Sequence, residues 1–164
     1  MLSEKLLKKL NEQMLFEIYS SNLYLQMSAW CGYKGLKGSA KFLKDHSLKE
    51  IRHMRKIFDY IQDINALPII DTIEKPTLEF KDLKHVFEVA YEHEKKVTAR
   101  INELVDISLS EKDFTTFNFL QWYIAEQHEE EKLFKSILDK INIIGLEGRC
   151  LFMVDKEIGM IKSK

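Results

Sequence analysis

The stretch Ser39-Ala40-Lys41-Phe42-Leu43-Lys44-Asp45-His46-Ser47-Leu48-Lys49-Glu50-Ile51-Arg52-His53-Met54-Arg55-Lys56-Ile57, continuing to about Asn65, decides the fold. One side of it reads Leu43, His46, Glu50, His53, Ile57, Tyr60, Ile64, at steps alternating between three and four. That is the repeat of an amphipathic helix, with Ser39 placed to cap its start. Its outer positions are apolar. Its middle is not, and that exception carries the chemistry.

Three more stretches repeat the pattern. The first runs from about Glu4 to Cys31, with Leu6, Leu10, Met14, Glu17, Ser21, Tyr24, Ser28 and Cys31 on one stripe, and the Gly32, Gly35, Gly38 cluster after it. The third runs from about Asp82 to Ser108 along Leu83, Phe87, Ala90, Glu94, Val97, Ile101 and Leu104. The fourth follows Ser110-Glu111-Lys112-Asp113 and reaches about Asn142 along Leu120, Tyr123, Gln127, Glu130, Phe134, Ile137 and Ile141. Each helix is about 40 Å long. Between Asn65 and Lys81 the repeat breaks, and Pro68 and Pro76 both fall there. About 17 extended residues reach about 50 Å, enough to run the length of a bundle. Two antiparallel hairpins joined by one long crossover are therefore predicted, a connectivity that ferritin-like four-helix bundles share. A short fifth helix is predicted over about 146–160, apolar on more than one face through Leu151, Val154, Ile158 and also Phe152 and Met153. Such a helix needs cover from more than one neighbour. The whole chain, 1–164, reads as one all-α domain with its bundle over about 4–142.

Glu17, Glu50, His53, Glu94, Gln127 and Glu130 occupy stripe positions near the middle of their helices. Midpoints of equal helices share one level, whichever way each runs. Four carboxylates would then converge in the core, and no Lys or Arg shares those stripe positions. Unpaired buried charge costs several kcal/mol per ion. Two divalent cations would cancel it, which points to a dinuclear metal site. Glu50 and His53 are spaced to face the same way. A Glu from each of two helices with Glu-x-x-His from the others is the di-iron carboxylate arrangement. The first half is intact, whereas the second reads Glu94 with Gln127-His128-Glu129-Glu130. The second position should thus be held mainly by oxygens. A donor set rich in oxygen suits Fe(II) or Mn(II) better than copper. His46 reads as a hydrogen-bonded core residue and His128 as a surface one.

With these motifs the chain resembles the bacterial non-haem ferritins. The most specific stretch is Phe117-Asn118-Phe119-Leu120-Gln121-Trp122-Tyr123 through Glu126-Gln127-His128-Glu129-Glu130-Glu131, together with His46 to Arg55. The resemblance implies a first iron on Glu17, Glu50 and His53, and a second on Glu50, Glu94 and Glu130, with Glu50 bridging and Gln127 lining the site. It gives Glu50 and Glu130 a part in catalysis, and makes Tyr24, and less directly Trp122, electron donors. It matches Glu126, Glu129 and Glu130 to a third iron site, where Lys49 stands in place of the family's glutamate. That site is expected to be weaker or absent. No haem is implied, because Ile51 stands where haem-binding relatives carry methionine. The implied activity is oxidation of Fe(II) by O2 and storage of ferric mineral inside a hollow shell of 24 identical chains.

Composition fits this picture. There are 26 acidic and 25 basic residues for a net charge of −1, which argues against a nucleic-acid binder. With 6 Gly and 2 Pro, a many-stranded fold is excluded. No apolar run is long enough to span a bilayer. Met1 to Asn11 lacks the apolar core of a secretory signal, and Cys31 and Cys150 form no disulfide framework. A cytoplasmic location is expected, with no membrane partner. Two other readings share some of these features: a di-metal oxidase or oxygenase acting on an organic substrate, and a metal-free interaction protein.

Overall fold

A computed structural model describes residues 2–162; Met1, Ser163 and Lys164 lie outside the described residues. Five helices form: α1 (Glu4–Tyr33), α2 (Lys37–Asp63), α3 (Leu83–Ser110), α4 (Phe114–Ile144) and α5 (Arg149–Gly159). No strand occurs among the described residues.

The starts of three helices are written locally. Ser3 Oγ accepts from Leu6 N at 3.0 Å, Asp82 Oδ1 from His85 N at 2.8 Å, and Asp113 Oδ1 from Thr116 N at 3.0 Å. Each satisfies an amide donor that the first turn cannot. The start of α2 differs from expectation. Ser39 lies inside the helix, and its N-cap residue, Leu36, has no side-chain cap. The cap comes instead from α5: Asp155 Oδ2 accepts from Gly38 N at 3.0 Å and Oδ1 from Ser39 N at 2.8 Å. A carboxylate at a helix N-terminus also meets the positive end of the helix dipole. This contact needs Gly38, because a Cβ there would sit 2.1 Å from the Asp155 carbonyl oxygen. Two other boundaries move. Gly32 is absorbed into α1, which turns out only at Gly35, where φ is +81°. α5 begins at Arg149 rather than near residue 146, after Gly148 at φ +57°.

α1 pairs with α2, and α3 with α4, through short turns. The crossover of residues 64–82 runs along α1: Ile69 N donates to Asn11 Oδ1 at 2.7 Å, and Phe80 meets the Trp30 ring at 5.8 Å. Asn11 and Trp30 are about 28 Å apart along the helix, so the connection spans the bundle as predicted. α1 also packs on α3. By contrast, the α2 and α4 backbones nowhere come within 8 Å, Cα to Cα.

The apolar core is in two parts. One contains Leu6, Leu10, Met14, Ile57, Ile101 and Leu120; the other contains Met27, Leu43, Phe87, Phe134 and, from α5, Val154 and Ile158. On every stripe the mid-helix acids, with His53 and Gln127, fall between these two parts. Glu17 follows Met14 and precedes Tyr24; Glu50 lies between Leu43 and Ile57. The layer of polar side chains at mid-bundle is therefore real. On α5, Phe152 and Met153 are exposed, as the two-faced pattern requires. No helix among the described residues is long and apolar enough to cross a membrane.

Candidate metal centre

Glu17, Glu50, His53, Glu94, Gln127 and Glu130 are each no more than 3% exposed. Three facts of sequence put them there: each lies on a buried stripe, each lies near the middle of its helix, and apolar residues flank it on both sides. Glu17, Glu50 and His53 bring one donor atom apiece within 4.8 Å of one another; so do His46, Glu50, Glu94 and Glu130. Glu50 belongs to both groups, so two donor sets meet at one carboxylate.

Neighbouring side chains orient these donors. Gln13 Nε2 donates to Glu17 Oε1 at 2.9 Å, and Arg100 Nε holds Gln13 Oε1 at 3.0 Å. On Glu94, Tyr24 donates its hydroxyl to Oε1, while Gln127 Nε2 donates to Oε2 at 3.0 Å. His53 Nδ1 lies 3.1 Å from Glu50 Oε2. The Tyr123 hydroxyl donates to the His53 carbonyl at 2.7 Å and fixes that turn of α2. Sequence reading missed Gln13 and Arg100. Gln13 precedes a stripe methionine and carries no charge, so only its contact with Glu17 reveals it.

The structure corrects the expected charge balance. Two cations join the four carboxyls. His46 Nε2 lies 2.8 Å from Glu130 Oε2 and 3.4 Å from Glu50 Oε1. Lys49 Nζ lies 2.8 Å from Glu126 Oε1 and also pairs with Glu130 Oε1. Lys49 is off the stripe, but its long side chain reaches into the layer from the flank. His46 is buried as expected, but its Nε2 meets these carboxylates as an ion pair and not in a hydrogen bond, and it gives the second donor set an imidazole that the sequence reading left out.

These contacts set the protonation states. Burial, then the nearby Glu50, pushes the Glu17 carboxyl well above its ordinary range. Burial, then Glu50 and Glu130, raises Glu94 to about 8. Burial alone would raise Glu50 too, but the His46 and His53 imidazoles beside it outweigh that and hold its pKa low. Glu130 is likewise lowered, with His46 overriding the cost of burial. Burial would lower His46, but Glu130 and Glu50 lift it to about 10. Without metal the layer is thus near neutral: two protonated carboxyls, two carboxylates and two cations. Divalent ions would replace protons here, as metal binding at carboxylates generally does. The residues fit such ions. Glu17 Oε2 is buried and meets no hydrogen-bond donor, and carboxylate oxygens with imidazole nitrogen are the donors that Fe(II) prefers.

The remaining candidates lie further out. Glu126 is half-buried and, with His53 and Glu130, forms a third group of donors. Glu129 is exposed and joins none of the groups, and His128 is exposed as expected. Trp122 is partly exposed, with its ring 5.2 Å from that of His53. Cys31 and Cys150 are free thiols.

Comparison with known proteins agrees with this geometry. Residues 7–144 match the ferritin-like domain. The chain is 56% identical over 164 residues to a probable bacterial non-heme ferritin-like protein of Haemophilus influenzae, covering 100% of this chain and 99% of that one. It is 48% identical, with the same coverage, to a bacterial non-heme ferritin of Escherichia coli. Among solved structures, an open pore ferritin from Archaeoglobus fulgidus superposes with a TM-score of 0.96 at 40% identity, covering 99% of this chain and 100% of that one. A fold with one long crossover, a mid-bundle carboxylate layer and end-to-end similarity to these proteins lead to one conclusion: the chain belongs to the ferritin family.

Proposed function

We propose that the chain is a subunit of an iron-storing ferritin that takes up Fe(II) as substrate and oxidises it with O2. The observation that carries this reading is the sharing of Glu50 by two buried donor groups. A single carboxylate common to both groups can hold two ions close together, and two one-electron donors side by side suit reduction of O2.

In this reading Glu17, Glu50 and His53 bind one Fe(II), and Glu50, Glu94 and Glu130 bind the second. Gln127 lines the second position. Tyr24, donating to Glu94, is poised to supply an electron. Its burial, and the carboxylates around it, keep its hydroxyl protonated well above the usual range. Ligands of oxygen and imidazole leave iron exchangeable, so the ferric product can move on to a store. The chain acts as one unit over 1–164 and, without haem, assembles into a hollow cytoplasmic shell of 24 copies. The exposed Phe152 and Met153 on α5 support an oligomer, because such a face needs cover.

Adding Fe(II) aerobically to the metal-free protein, then measuring particle mass and iron per particle, tests this. The expected result is a large shell holding many more irons than its centres can bind. Iron that never exceeds the capacity of the centres, or hydroxylation of an added organic substrate without mineral, would overturn it.

A further inference from the structure

The α2 and α4 backbones stay more than 8 Å apart, Cα to Cα, and the seam between them is bridged by side chains such as Tyr123 on the His53 carbonyl. Two pockets open onto it, of about 280 and 520 Å3. The smaller reaches His46 and the larger reaches His53; Lys49 and Glu129 line both. At the floor of the seam lies the third donor group, His53, Glu126 and Glu130, with His53 Nε2 3.7 Å from Glu126 Oε1. That group is already served. The Lys49 ammonium sits against both of its carboxylates, with a side chain only 13% exposed. Lysine normally keeps its head in water, and fixing its four-carbon stem costs rotamer freedom as well as desolvation. Two carboxylates together offset that.

We propose that the Lys49 ammonium is a tethered substitute for a third metal ion, and that through Glu130 it weakens the second metal position relative to the first. The inference rests on reading the centre as a metal site. Lys49 holds Glu130 Oε1 and His46 holds Oε2, so an ion at the second position must take an oxygen from one of them. At the first position Glu17 is in no ion pair: its Oε1 accepts from the neutral Gln13 and its Oε2 from no donor, so an ion there has a proton to displace but no tethered cation. The first position therefore fills before the second, and the third does not fill at all. The flanking pockets give the lysine head room to swing aside, so its hold on Glu130 is reversible.

Co(II) titration of the metal-free full chain under nitrogen tests this, with bound ions counted by elemental analysis and followed by visible absorption. Wild type and Lys49→Arg should each bind two ions per chain, one at each group that shares Glu50. Lys49→Gln should bind three, the third on the Glu126 and Glu130 carboxylates that the lysine otherwise occupies while His53 stays with the first ion, and its second ion should bind about tenfold more tightly than in wild type, because a nearby positive charge is gone. A Lys49→Gln protein with the wild-type count and an unchanged second affinity would overturn the proposal while leaving the two-ion centre intact. Three ions in wild type would also overturn it. No Co(II) bound by any of the three would overturn the metal-centre reading itself, and this one with it.

Discussion

The α1–α3 seam and the α2–α4 seam flank the same centre and are built by different means. Across α1–α3, hydrogen bonds close the bundle: Tyr24 to Glu94, Arg100 to Gln13, and Ser20 Oγ beside His93 Nε2 at 2.7 Å. Burial pushes the His93 imidazole down to about 4, so that pair is neutral. Arg100 also stacks over Phe16, 4.3 Å from its ring centre. Across α2–α4, the Tyr123 hydroxyl on the His53 carbonyl and the Tyr60–Thr116 hydroxyl pair are joined by ion pairs from Lys49 and His46, with Lys56 over Trp122 and pockets on either side. Directional bonds fix donor positions; the long flexible side chains that the α2–α4 seam adds can exchange partners. A centre that must hold ions and then release them needs one of each. Glu50 belongs to neither seam alone, since both donor groups use it.

The largest effect should therefore come from removing the shared residue. Glu50→Ala strips a charged donor from both groups and leaves His46 and His53 facing the remaining acids. Losing a charged donor common to both groups should lower Co(II) affinity at both positions by about a thousandfold, on the order of 4 kcal/mol. Retention of either ion at near wild-type affinity, measured by equilibrium titration, would show that Glu50 does not bridge. Acid should act more gently. Each position contains one carboxyl that burial holds protonated, Glu17 at the first and Glu94 at the second. An ion must expel that proton, so affinity falls as pH drops below the raised value. With Glu94 at about 8, the second position should weaken about fiftyfold from pH 8 to pH 6, approaching about tenfold per pH unit below the raised value, for one proton displaced. A binding curve unchanged over that range would mean that Glu94 is already ionised.

Much of this architecture was legible in the sequence, for a definable reason. Helical period fixes where each Cβ points, so the stripes predicted four long helices, their buried faces and the crossover. The six mid-stripe residues all proved buried for the same reason. What the period does not fix is where a long side chain ends. Lys49 neighbours Glu50 but lies off the stripe, and only its reach brings its charge to Glu130. Caps supplied from far along the chain are equally invisible to local pattern. Asp155 caps α2 across more than a hundred residues, so Ser39 looked like the cap by default. His46 was on the stripe and correctly read as buried, but its ion pair with Glu130 depended on α4.

The α1–α3 seam offers a sharper cut. Gln13→Ala removes the donor that orients Glu17 and one of the partners of Arg100, which keeps the Glu12 carbonyl and the Phe16 ring, yet touches nothing at Glu94 or Glu130. Residues that orient a metal ligand are worth about tenfold or more in metal affinity. The first position should weaken by about that factor while the second is unchanged. Equal losses at both would mean that the seam sets the spacing of the helices rather than the orientation of one carboxylate.

The smallest effect tests whether Tyr24 does more than hold Glu94. Tyr24→Phe removes one of two donors on that carboxylate and leaves Gln127 on the other oxygen. The ring stays packed against Phe134, 5.6 Å away, so the fold should be little disturbed. One lost hydrogen bond of this kind is worth about 1 kcal/mol, about fivefold in affinity at the second position. At saturating Fe(II) that loss is masked, and a purely orienting hydroxyl would leave the rate of a single turnover nearly unchanged. A slower single turnover with both ions bound would separate electron supply from orientation. It would also give the closed seam a part in the chemistry, alongside its part in the geometry.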